Sequence, residues 1–111
     1  MVRDLIAAFL RSAGYDVRTS VDGEEGFALF RRSWRDIDLV VLDLAMPKMG
    51  GRDTFLAMRD IHPDVRVLLV SGYSMEGEAQ ELLSAGAMGF LQKPFKRAQL
   101  LDLVADALVR H

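Results

Sequence analysis

The sequence predicts an α/β domain built on a parallel sheet. Nearly continuous aliphatic runs at residues 37–42 and 65–70 have the composition of strands buried on both faces. Amphipathic stretches of helical period alternate with them, and polar or loop-forming residues follow each run. No repeat, low-complexity tract or linker interrupts the pattern. With 111 residues the chain suits one domain, 1–111, around one core.

The elements follow in order. Val2, Leu5, Ile6, Phe9 and Leu10 recur at helical spacing, and Ala13-Gly14 supplies the stop. Residues 15–21 alternate apolar and polar, which suits an edge strand. Asp22-Gly23-Glu24-Glu25 is a capping box opening a helix through Phe27 and Phe30 to about Trp34. After the strand at 37–42, residues 46–51 form a loop, and a helix through Phe55, Leu56 and Met58 stops before Pro63. The strand at 65–70 ends at Ser71-Gly72. Ser74 is placed to cap a helix running to Ala85, with Gly86 as its stop. A short strand at 88–92 ends at Lys93-Pro94, and a last helix carries Leu100, Leu103, Val104, Ala107 and Leu108 on one face. The predicted order is α-β-α-β-α-β-α-β-α.

Composition narrows the function. Half the residues are apolar, and the net charge of -2 balances 14 basic against 16 acidic side chains, favouring neither nucleic acid nor an anionic membrane. The absence of cysteine excludes disulfides, thiolate nucleophiles and cysteine-held metal. Apolar runs fall far short of the roughly 18 residues a membrane span needs. Met1-Val2-Arg3 opens directly into a helical pattern, so no secretory signal and a cytoplasmic setting are expected.

Ligands of an open parallel sheet bind beyond the carboxyl ends of its strands. Three predicted strands end there in chemistry: Asp43, Ser71 and Lys93 bring a carboxylate, a hydroxyl and an ammonium to one rim. An acid at the end of an aliphatic strand needs partners, and Lys93 and Ser71 can supply a charge and a hydrogen bond. The same trio could hold a phosphoryl group on Asp43. Spacing alone leaves a structural ion pair as the other reading.

Asp43-Leu44-Ala45-Met46-Pro47 with Gly50-Gly51, Val70-Ser71-Gly72, Gly86-Ala87 and Lys93-Pro94-Phe95 together resemble the receiver domain of two-component response regulators, over the whole chain and in the right order. The segments around Ser71-Gly72-Tyr73-Ser74 and residues 89–95 most resemble receivers of hybrid histidine kinases. The resemblance implies a doubly wound, flavodoxin-like fold of strand order 2-1-3-4-5. It implies that Asp43 is the phosphoacceptor, served by a histidine kinase, phosphotransfer domain or small phosphodonor. Ser71 becomes the switch hydroxyl, Lys93 its cationic partner and Phe90 the switch aromatic. The Lys93-Pro94 bond matches a peptide commonly cis in the family, and Ala45 would offer its carbonyl to magnesium.

One departure from the family stands out. A receiver begins with a strand ending in two adjacent acids that hold magnesium, whereas Met1 falls inside the expected first helix. About ten residues, one strand and its connection, are expected to be missing. Of the family's protein ligands for Mg2+, Asp43 and the Ala45 carbonyl remain, so binding and phosphorylation of this chain are expected to be weak or absent. Asp38 lies at the far end of its strand, about 16 Å away at ~3.3 Å per residue. Asp22, Glu24 and Glu25 lie on the correct rim but beside the edge strand. The strands at 15–21 and 37–42 would stand ~9–10 Å apart. A truncated N-terminus or a misassigned Met1 is the favoured explanation. The alternatives are a closed-up sheet and a homodimer by strand exchange.

Other features have plain readings. His62 at a helix end complements the dipole, and His111 is terminal. Met46 and Met49 border Asp43 and suit loop packing as well as a partner surface. Arg31, Arg32 and Arg35 read as a solvated face. No catalytic triad, GxxxxGK[ST] or GxGxxG motif is present. Two functions therefore compete: a phosphoacceptor switch, and a phosphorylation-independent interaction module of the same fold. A flavodoxin-like cofactor binder or small phosphatase has little support, since no cofactor loop is present.

Overall fold

The computed structural model describes residues 2–45, 48–72 and 76–109. The elements are α1 (Val2–Ser12), α2 (Gly23–Ser33), a 3-10 turn (Trp34–Asp36), β1 (Val40–Asp43), α3 (Gly51–Ile61), β2 (Val67–Ser71), α4 (Glu76–Ser84), β3 (Gly89–Gln92) and α5 (Arg97–Val109). The three strands are parallel and lie in the order β1-β2-β3, as the last three strands of 2-1-3-4-5 do.

Strand β2 is central and every residue of it is buried. Its alternation divides the core, because successive side chains point to opposite faces. Val67 and Leu69 join Phe30 of α2, Phe55 and Met58 of α3, and Leu82 of α4. Leu68 and Val70 join Ile6 and Leu10 of α1, and Leu100, Val104 and Ala107 of α5. Helices therefore cover both faces, which makes the sheet doubly wound.

Local chemistry sets the helix ends. Asp22 is the N-cap of α2 and accepts from the Glu25 N–H at 2.8 Å. The Glu25 carboxylate reaches back to the Val21 N–H, 3.4 Å away, one residue beyond the usual capping-box partner. Gly14 and Gly86 end α1 and α4 in the left-handed region, at φ 93° and 116°. Each heads a paired turn, Tyr15 N–H to Leu10 O with Gly14 N–H to Arg11 O, and Ala87 N–H to Leu82 O with Gly86 N–H to Leu83 O. His62 caps α3 and stacks on Trp34 with centroids 4.8 Å apart, while the Arg35 guanidinium lies 5.0 Å from the same indole. Arg35 packs on this ring while remaining exposed, as Arg31 and Arg32 are.

Several expectations need correction. Residues 15–21 form no strand. Tyr15 and Val17 instead pack against the α1–α5 side of the core, the Val17 carbonyl accepts from Arg11, and Val21 is exposed. A strand needs a ladder, and β1 pairs with β2 alone among the described strands. The closed-up sheet joining 15–21 to β1 is therefore not formed. Leu5 is 45% exposed, because α1 turns Ile6, Ala7 and Leu10 inward. The strand expected at 37–42 begins instead at Val40, whose N–H bonds Arg66 O at 2.9 Å where the ladder with β2 starts, while the Ile37 N–H still closes the preceding turn on Trp34 O at 3.2 Å. Met1, Met46, Pro47, Tyr73, Ser74, Met75 and His111 lie outside the described residues.

Gly51 opens α3 where a Cβ would sit 2.7 Å from Leu44 Cα, whereas one at Gly50 would meet nothing within 4 Å. Gly51→Ala should therefore lower stability to denaturant by about 1–3 kcal/mol, and Gly50→Ala by less than about 1 kcal/mol. Equal effects would show that the contact with Leu44 yields freely.

Candidate functional site

The parallel register aligns the strand ends. Asp43 stands opposite Val70, and Ser71 opposite Gln92, so the three strands finish at one level. The backbone continues the ladder past the strands, with Leu44 N–H on Val70 O at 3.0 Å and Lys93 N–H on Ser71 O at 2.8 Å. Lys93 is thus held next to Ser71 by its own amide while its side chain reaches across the rim.

Across that rim the Lys93 ammonium donates to Asp43 Oδ2 at 2.9 Å, joining residues 50 positions apart. The other carboxylate oxygen, Oδ1, accepts from the Ala45 N–H at 3.0 Å. Both oxygens have a partner, yet the two side chains remain 29% and 28% exposed, open enough to meet a ligand from solvent. A charge-assisted bond on one oxygen and a backbone donor on the other fix the carboxylate's orientation.

The remaining predicted residues fall around this pair. Ser71 is 1% exposed, and its hydroxyl donates to the Gly72 carbonyl at 3.0 Å rather than to Asp43. Phe90, three residues before Lys93 on β3, packs partly buried against the α2–α3–α4 side of the core. The Lys93-Pro94 peptide is cis. Beside it, Phe90, Gln92, Lys93, Pro94, Gln99 and Leu103 line a shallow groove between β3 and α5.

Metal ligands are a different matter. Among the described residues no group of three or more His, Cys, Asp or Glu converges. Asp43 already shares one oxygen with Lys93, and the Ala45 backbone is the other expected donor. Magnesium asks for near-octahedral oxygen coordination but keeps several waters and takes phosphate oxygens, so the Asp43 carboxylate and the Ala45 carbonyl would hold it as two protein donors among the described residues.

Sequence reasoning passed over a second ion pair on the loop that follows Asp43. Lys48 adopts φ 63° and places its ammonium 3.5 Å from Asp22 Oδ2. The Glu25 N–H chiefly holds the Asp22 carboxyl below its ordinary range, with Lys48 adding to the effect against the opposing influence of burial. A lysine in a loop gives no sequence signal of such a conformation. The capping box at Asp22 was the visible half of the pair.

Comparison with known proteins agrees with this geometry. The response regulator receiver domain model matches residues 1–105. Sensor kinase CckA of Brucella abortus is 35% identical over 99 residues, covering 89% of this chain and 10% of that protein. Chemotaxis protein CheY of Treponema pallidum is 31% identical, over 93% of this chain and 72% of that protein. Among solved structures, a response regulator receiver domain protein from Clostridium thermocellum superposes with a TM-score of 0.92 at 27% identity, covering 96% of this chain and 85% of that one. The CheX-CheY-BeF3-Mg2+ complex from Borrelia burgdorferi gives a TM-score of 0.89 at 30% identity, over 96% and 81%. With its flavodoxin-like architecture and a receiver match over nearly its whole length, the chain belongs to the response regulator receiver domain family of two-component signalling.

Proposed function

We propose that this receiver domain accepts a phosphoryl group on Asp43 and signals through the conformation that the phosphoryl stabilises. The observation carrying this reading is the Asp43–Lys93 contact of 2.9 Å at the open rim of the sheet. A carboxylate oxygen attacks phosphorus in a phosphohistidine or a small acyl phosphate. A P–O bond to Asp43 forms as the bond to the donor breaks, and the departing imidazole or carboxylate keeps its electron pair. The transferred group brings new negative charge to the place where the Lys93 ammonium already stands. Ser71 then exchanges its bond to the Gly72 carbonyl for a charge-assisted one to a phosphoryl oxygen. That exchange makes the two states differ in contacts, which a switch requires. Phe90 lies on the strand leading into Lys93, placed to follow it.

The phosphodonor in this reading is a histidine kinase or phosphotransfer domain. The likeness to part of a sensor kinase supports a parent of that kind. The groove between β3 and α5 offers a partner surface next to Lys93. Among the described residues the edge of β1 away from β2 pairs with no strand, which suits strand exchange between two copies. The ligand set around Asp43 favours a second reading, a phosphorylation-independent interaction module. Consistent with that set, magnesium should bind this chain weakly and accelerate modification little.

Mass spectrometry after incubation with acetyl phosphate and magnesium separates the readings. A single phosphoryl on the 111-residue chain, slow to form and absent from Asp43→Asn, supports the phosphoacceptor. Modification that persists in Asp43→Asn contradicts the site, and none at any donor concentration favours the second reading. Lys93→Ala should slow acceptance by roughly 100-fold, the scale for removing one donor to developing charge. An unchanged rate would remove Lys93 from the chemistry.

A further inference from the structure

The loop joining β1 to α3 is fastened at two places. At its base, α3 begins so close to Leu44 that any side chain at Gly51 would collide with it. At its tip, the loop rests on the first turn of α2. A side chain at Gly23 would run into the Met49 carbonyl and lie 2.7 Å from Thr54 Oγ1. Thr54 is fully buried, and its hydroxyl donates to Gly50 O at 2.8 Å, with Met49 O at 3.5 Å. Between these fastenings Lys48 holds the left-handed backbone conformation, costly for a residue with a Cβ. The conformation puts its ammonium on Asp22, whose side chain is 10% exposed and whose other oxygen the Glu25 N–H fixes.

The same loop begins with the Ala45 N–H that orients Asp43 Oδ1. We infer that Lys48, paired with Asp22, is a positioning residue for the phosphoacceptor: the ion pair latches the loop to α2 and thereby sets how the Ala45 N–H holds Asp43. The inference rests on the reading of Asp43 as phosphoacceptor, but the latch itself has a readout without phosphate. With Lys48 66% exposed the pair is of the weak class, so its effect on acceptance is roughly two- to fivefold.

Two variants remove the charge and spare the fold. Asp22→Asn keeps a side-chain oxygen for the helix cap, and Lys48→Met keeps an unbranched stem. In nitrogen–proton correlation NMR of the full chain, each variant should shift the Ala45 amide resonance. Acceptance from acetyl phosphate should slow to a similar extent in both. The double variant should behave like either single one, and Lys48→Arg should restore wild-type behaviour. An Ala45 resonance unmoved in both variants, or effects that add in the double variant, would overturn the latch. Failure of the wild-type chain to accept phosphate would instead count against the phosphoacceptor reading, while the Ala45 shift still reports on the latch.

Discussion

The site depends on the parallel alignment of three strands whose carboxyl ends finish at one level. Asp43 and Lys93 are 50 positions apart and meet only because β2 lies between their strands and holds both in register. Without that ladder, closing so long a loop would oppose the contact by several kcal/mol of chain entropy, on the order of 3–5 kcal/mol. The ion pair is a product of the fold rather than its cause. A contact with both partners more than a quarter exposed adds modestly to stability.

Strand β2 carries the burden. Its alternate residues enter the cores on the two faces, so α1 and α5 on one side and α2, α3 and α4 on the other all bear on one five-residue segment. Such a centre fixes the level at which the three strands end. The groups nearest Asp43 divide accordingly. Lys93 and Ser71 are tied to strands, whereas Ala45 lies just past β1 on the loop from which Lys48 pairs with Asp22.

Much of this was legible in the sequence because the signals were local. The aliphatic strands, the cap at Asp22 and the stops at Gly14 and Gly86 each follow from residues adjacent to one another. The meeting of Asp43 with Lys93 followed from strand ends alone. What was missed depends on partners distant in the chain. Residues 15–21 carry a strand's alternation but form none, since alternation cannot supply a ladder. Leu5 fits the helical period and still faces outward, because the direction of α1 is set by its contact with α5 and the sheet. The Ser71 hydroxyl turns to its neighbour's carbonyl, a local choice between acceptors that sequence does not rank. Lys48 gained its importance from a backbone angle and a carboxylate 26 positions earlier, neither visible as a pattern.

A double-mutant cycle on Asp43→Asn and Lys93→Met, read by denaturant unfolding, tests most directly that the strand ends converge. Lys93→Met should cost about 1 kcal/mol when Asp43 is present and much less in the Asp43→Asn background, because in the first case it strands a carboxylate. The same cost in both backgrounds would mean that the two side chains do not meet, and the rim as described would not exist.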